Sequence, residues 1–154
     1  MDDMVCPDCS ARVEGGRNGC KALWDDFSVR TFSESRLLPM RDMAFDAYCL
    51  QHPARYCVSA KSYMAHLTRL CGWIEFNGDS RVFRAILRSL DGQIRMPRPE
   101  PPAPRWTLTV ADIAATKDVG ACIQQVRAWA ADVWQTYDDQ HAPAREWIRL
   151  WMRE

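Results

Sequence analysis

Residues 59–76, Ser59-Ala60-Lys61-Ser62-Tyr63-Met64-Ala65-His66-Leu67-Thr68-Arg69-Leu70-Cys71-Gly72-Trp73-Ile74-Glu75-Phe76, decide the fold class. Tyr63, Leu67, Leu70, Cys71 and Ile74 return at intervals of three and four, the stripe that one face of an α-helix buries. A strand would need sustained alternation of period two, and no segment of the chain supplies it. Asn77-Gly78-Asp79-Ser80 then offers a turn and a cap. Val82, Phe83, Ile86, Leu87 and Leu90 repeat the stripe until Asp91-Gly92 stops it. The pattern predicts a helical hairpin within an all-α, compact helical bundle of about five to six helices.

Working outward toward the N-terminus, Met43, Ala44, Ala47, Tyr48 and Leu50 give an apolar side to a helix from Arg41 to Gln51. Pro53 closes it, because the residue before a proline is pushed out of the α region. Leu23, Trp24 and Phe27 predict a short helix beginning at Cys20 and fading near Ser33-Glu34-Ser35. Before it, Glu14-Gly15-Gly16-Arg17-Asn18-Gly19 suits neither helix nor strand. Residues 1–20 therefore read as a loop-like arm in need of an anchor.

Toward the C-terminus, Met96-Pro97-Arg98-Pro99-Glu100-Pro101-Pro102-Ala103-Pro104 forbids helix and favours an extended backbone. About fifty residues follow it, a marginal length for an independent domain, so residues 96–105 read as a surface connection within one domain spanning 1–154. Thr109-Val110-Ala111-Asp112 has capping-box form. A long helix should follow with Val119, Cys122, Ile123, Val126, Ala130, Val133 and Tyr137 on one stripe, and Pro143 should open a last helix carrying Trp147, Ile148 and Trp151.

The 154 residues carry 20 basic and 20 acidic side chains, a formal net charge of +0. No overall field draws the chain to a polyanion, which argues against a nucleic-acid partner. Arg81, Arg84, Arg88, Arg95, Arg98 and Arg105 form the one basic line that could meet phosphate, and they read as a solvated face. Charged residues break every apolar run short of a membrane span. The acidic start Met1-Asp2-Asp3 has no signal-like segment behind it, and the seven cysteines are odd in number. Both features predict a soluble cytoplasmic protein with reduced thiols at Cys57, Cys71 and Cys122.

Chemistry concentrates in Cys6-Pro7-Asp8-Cys9 and Cys20. A CxxC turn lets two thiolates meet one ion, and a third cysteine supplies most of a structural zinc site. A redox pair would sit at a helix start beside a βαβ unit, and the chain has no strands to supply one. A thiol redox sensor is accordingly the last of the functional alternatives. The fourth ligand must come from a distance, and His52 competes with Cys49, Cys57 and His66. His52 is preferred because Pro53 fixes its backbone at a helix end, while Cys49 falls in the apolar pattern of its helix. Three thiolates make zinc a weak Lewis acid, so a structural zinc, Zn2+, is expected rather than a catalytic one.

A second metal or acid–base site built from His66, Cys122 and His141 is the alternative that would make the protein a metalloenzyme or metal-handling protein. Of the seven tryptophans, Trp129, Trp134, Trp147 and Trp151 lie in the C-terminal helices. Indoles are enriched at interfaces, so these four are the candidate protein-partner surface. With no recognised nucleophile or phosphate loop, an adaptor or regulatory protein acting through protein–protein contacts is the favoured expectation.

The knuckle Cys6-Pro7-Asp8-Cys9 with Cys20, the segment Tyr48-x-Leu50-Gln51-His52-Pro53, Thr109-Val110-Ala111-Asp112, and Trp129-Ala130-x-x-Val133-Trp134 with His141 together resemble a family of small bacterial proteins of unknown function. The resemblance spans nearly the whole chain. It implies a metal role for Cys6, Cys9, Cys20 and His52, draws notice to His66 and His141, and implies no activity. Ser10 stands where glycine is common in that pattern, and Cys122 where a histidine is expected.

Overall fold

The computed structural model describes residues 3–92 and 97–153. Met1 and Asp2 of the acidic start, Arg95 of the basic line and Met96 of the proline tract lie outside the described residues. The described residues are largely helical, with eight α-helices among them: α1 (Gly16–Ser33), α2 (Arg41–Gln51), α3 (Pro53–Tyr56), α4 (Ala60–Glu75), α5 (Ser80–Asp91), α6 (Val110–Ala115), α7 (Val119–Thr136) and α8 (His141–Met152). Short 3₁₀ turns at Leu38–Met40 and Asp138–Gln140 lead into α2 and α8. Among the described residues the one β-type pairing is an isolated antiparallel bridge between Val5 and Arg12. None of these helices is long and apolar enough to cross a membrane.

The hairpin stripe is buried in part: the buried face of α5 centres on Val82, Ala85 and Ile86, which leaves Leu87 58% exposed and Phe83 and Leu90, like Ile74 of α4, half-buried. Tyr63, Leu67, Leu70 and Cys71 of α4 are fully buried, as are Val82 and Ile86 of α5. Ser59 starts α4 by accepting the Ser62 N–H at 3.0 Å, and the Ser62 hydroxyl in turn accepts the Ser59 N–H at 3.2 Å. Asp79 caps α5, and the Asp112 carboxylate closes the Thr109 box at 2.8 Å. In the centre, α2 packs against both α4 and α7, while α8 covers α4 and α5 and α1 lies on α6. Leu50, Leu67, Leu70, Val126, Trp129, Val133 and Ile148 form the shared core.

Two boundaries differ from the sequence expectation. Helix α1 starts at Gly16, four residues before Cys20, so the glycine-rich segment is partly helical. Gly16 enters at φ 56°, and a Cβ on Gly19 would lie 2.0 Å from the Glu14 carbonyl oxygen. The glycines thus permit a tight turn straight into a helix, at a helix-propensity cost that tertiary contacts offset. Helix α8 starts at His141, and Pro143 sits in its first turn, where a missing N–H leaves no helical bond unmade. The short α3 is the element for which the sequence carried no periodic signal.

The proline-rich connection is extended and tied along its length. Arg98 Nε donates to the Cys57 carbonyl at 2.6 Å, and Gln140 Nε2 to the Glu100 carbonyl at 3.0 Å. The Asp132 carboxylate accepts both the Thr107 and Leu108 N–H groups, at 2.7 and 2.8 Å. With few backbone donors of its own, this segment is held largely by side-chain hydrogen bonds, its own Arg98 among them.

Candidate metal centre

The N-terminal knuckle is a narrow turn. Cys6 N–H donates to the Ala11 carbonyl at 2.8 Å, and Ser10 N–H to the Cys6 carbonyl at 2.9 Å, folding Cys6 and Cys9 to one side. Ser10 takes φ 67°, a left-handed conformation that glycine adopts without strain. That conformation is the physical reason glycine suits the position after the second cysteine. Cys20 arrives from the early turns of α1, and Asp8 pairs with Arg17 of the same helix at 2.8 Å.

His52 arrives from the far end of α2. It has left helical geometry, with φ −128° and ψ 53°, and Pro53 removes the next backbone donor. The carbonyls orphaned there find other partners: Tyr48 O accepts from His52 Nδ1 at 2.7 Å, and Leu50 O from the Tyr137 hydroxyl at 2.6 Å. The bond to Tyr48 O places the imidazole proton on Nδ1 and leaves the Nε2 lone pair facing the sulfurs. The helix terminus therefore fixes both the direction and the tautomer of the ring.

The four ligating atoms of Cys6, Cys9, Cys20 and His52 lie within 4.8 Å of one another, and all four residues are buried. Cys9 Sγ and Cys20 Sγ are 3.7 Å apart, and His52 Nε2 is 3.5 Å from Cys20 Sγ and 3.7 Å from Cys6 Sγ. With Zn–S near 2.3 Å and Zn–N near 2.0–2.1 Å, a tetrahedron has S···S edges of about 3.8 Å and S···N edges of about 3.6 Å. These residues fit a four-coordinate ion. Fourth place in the cluster goes to His52; Cys49 is buried outside it.

The electrostatics point the same way. Hydrogen bonding from Cys9 holds the Cys20 thiol down to about 4 against the effect of burial. Its bond to Cys20, followed by burial, pushes the Cys9 thiol up. Burial also raises Cys6. Three sulfurs this close and this dry cannot all carry charge unless a cation shares the site. An aromatic shell surrounds it: Tyr48 lies 4.1 Å from the His52 ring and stacks on Trp24 at 5.0 Å, and its hydroxyl is 3.9 Å from Cys20 Sγ. Trp106, missed in the sequence reading, donates from Nε1 to the Cys9 carbonyl at 3.0 Å and so ties the proline-rich connection to the knuckle.

His66, Cys122 and His141 are not brought together. His66 Nδ1 is 3.0 Å from Asp46 Oδ1, Cys122 Sγ accepts from Arg30 at 3.7 Å, and His141 stacks on Trp134 at 4.0 Å with Nε2 bonded to the Trp134 carbonyl at 2.7 Å. Among the described residues, the Cys6 cluster is the group that could hold a metal ion. The tryptophans also divide. Trp129 and Trp134 are core residues, 0% and 4% exposed, so they offer no partner surface. Trp147 and Trp151 on α8 are half-buried.

Sequence reasoning also missed Asp46. Its fully buried carboxylate receives Arg69 Nε at 3.2 Å and Trp73 Nε1 at 3.1 Å besides facing His66. The available signal was an acid inside the apolar stripe of α2, with His66, Arg69 and Trp73 at helical spacing to meet it.

The chain belongs to the family of unknown function DUF5946, whose model matches residues 4–138. That span holds the knuckle, Cys20 and His52, and ends before α8. No curated protein and no solved structure matches the chain.

Proposed function

Starting from that family membership, we propose that the chain is a zinc-stabilised helical adaptor or regulatory protein that acts through protein–protein contacts. The observation that carries the metal part is a four-group cluster whose ligating atoms lie within 4.8 Å of one another, three of the separations at tetrahedral edge length, with no ligand more than 3% exposed. A site so enclosed leaves no position for substrate, and its thiolate donors quench Lewis acidity. The ion's work is mechanical: it fastens the knuckle and the start of α1 to the end of α2. The contact surface is the outer side of α8, where half-buried Trp147 and Trp151 neighbour exposed Leu150 and Met152. Indoles that are part anchored and part exposed supply binding area at low entropic cost.

Elemental analysis with zinc X-ray absorption on protein purified without chelator tests the metal reading. One zinc per chain in a three-sulfur, one-nitrogen shell is expected; no metal, or a shell containing water, overturns it. Crosslinking in the native host tests the surface. Loss of the same crosslinked partner in Trp147→Ala and Trp151→Ala proteins that keep helix content and zinc supports the adaptor reading, and unchanged crosslinks refute it.

A further inference from the structure

A cleft between the entry to α2, the end of α4 and α7 takes no part in the metal cluster or the α8 surface. It encloses about 370 Å³ and is lined by Met40, Met43, Trp73, Ile74, Asn77 and Arg127. This volume lies in the range of sites for small organic molecules.

Two features specify the occupant. The wall is apolar and partly preformed: Trp73 is held by its Nε1 bond to Asp46 at 3.1 Å and by the Phe83 ring at 4.4 Å, while Met40 and Met43 are adaptable thioethers. The rim is cationic. Arg127 is exposed and forms no ion pair among the described residues, whereas Arg17, Arg30, Arg41, Arg69, Arg81, Arg105 and Arg145 each hold a carboxylate. Among the described residues no acidic side chain lines the cleft. The nearby Asp46 carboxylate is already taken by His66, Arg69 and Trp73. A guanidinium keeps its charge at any physiological pH and presents a fork of donors that matches a carboxylate.

We propose that this cleft binds a small apolar carboxylate of the medium-chain fatty acid class. The aliphatic body lies on Met40, Met43, Trp73 and Ile74, and the carboxylate is received by Arg127. The inference stands apart from the zinc and adaptor readings, since none of these residues belongs to the cluster or to α8.

The test is a titration of zinc-loaded full-length protein, carrying ¹³C-methyl methionine, with decanoate, decanol and acetate in parallel. Decanoate should give saturable shifts at the Met40 and Met43 methyls and at the Trp73 indole resonance. Decanol and acetate should bind at least about tenfold more weakly, the loss that one charge-assisted hydrogen bond or the apolar body brings. Arg127→Gln changes an exposed side chain; it should weaken decanoate by a similar factor while leaving decanol binding unchanged. The proposal is overturned by the absence of saturable shifts, by shifts centred elsewhere, by equal affinities for decanoate and decanol, or by an Arg127→Gln protein that binds decanoate like the parent.

Discussion

Replacing Trp129 with phenylalanine should destabilise the protein by about 2–4 kcal/mol without displacing the metal. The indole is fully buried, and its Nε1 donates to Gln51 Oε1 at 3.0 Å. Gln51, also fully buried, passes the chain on through Nε2 to the Leu108 carbonyl at 2.8 Å. Phenylalanine leaves that Oε1 without a donor, a cost of about 1–3 kcal/mol for a dry polar atom. It also removes roughly 40 Å³ of side chain, worth about 1 kcal/mol at ~24 cal/mol per Å³ if the cavity persists. Urea unfolding followed by far-UV circular dichroism measures the sum. The partner change Gln51→Leu should cost a similar amount, because it orphans the indole N–H and the Leu108 carbonyl together. The two losses share one bond, so the double variant should fall short of additivity by about 1–2 kcal/mol. Zinc content should stay at the parental ratio, since the neighbouring His52 is held by Tyr48 O rather than by this chain. A Trp129→Phe protein within about 0.5 kcal/mol of the parent would refute the packing argument, because that is the range of surface substitutions.

Chelation should strip hydrogen-exchange protection from the bonded amides of Cys6, Ser10 and Val13 while Leu67 and Leu70 in α4 keep theirs; equal loss in both regions would mean the ion holds the whole fold. Ser10→Gly should raise the opening free energy of the knuckle by about 0.5–1 kcal/mol, as read by exchange at Cys6, because φ 67° no longer opposes a side chain. The Arg145 guanidinium beside Glu75 holds its carboxyl below the usual range, so this link between α4 and α8 contributes at pH values above the ordinary glutamate pKa of about 4.3 and is lost as pH falls through the depressed value. Glu75→Gln should remove that acid-side slope at a cost of under about 1 kcal/mol near neutrality, the pair being partly solvated; an unchanged pH profile in urea unfolding would count against it.

Local chemistry made much of this protein legible from its residues alone. Period 3.6 in residues 59–91, the turn and cap in Asn77-Gly78-Asp79-Ser80, the Thr109 box and the proline after His52 each act within a few residues, so α4, α5, α6 and the end of α2 could be read directly. Cysteine chemistry did the same for the knuckle, since CxxC followed by a third thiol has the ligand types and spacing of a metal site. What the chain could not disclose is which distant groups meet. His52 joins the cluster and Cys49 does not because the break at Pro53 turns the imidazole toward the knuckle while the helix carries Cys49 into the core. Trp129 and Trp147 look alike in sequence, yet one is enclosed between α2 and α7 and the other lies half-exposed on α8. Asp46 reads as an outlier in an apolar stripe until α4 brings three donors to it. Burial and long-range polar pairing are properties of packed helices, and they come into being only when the chain has closed on itself.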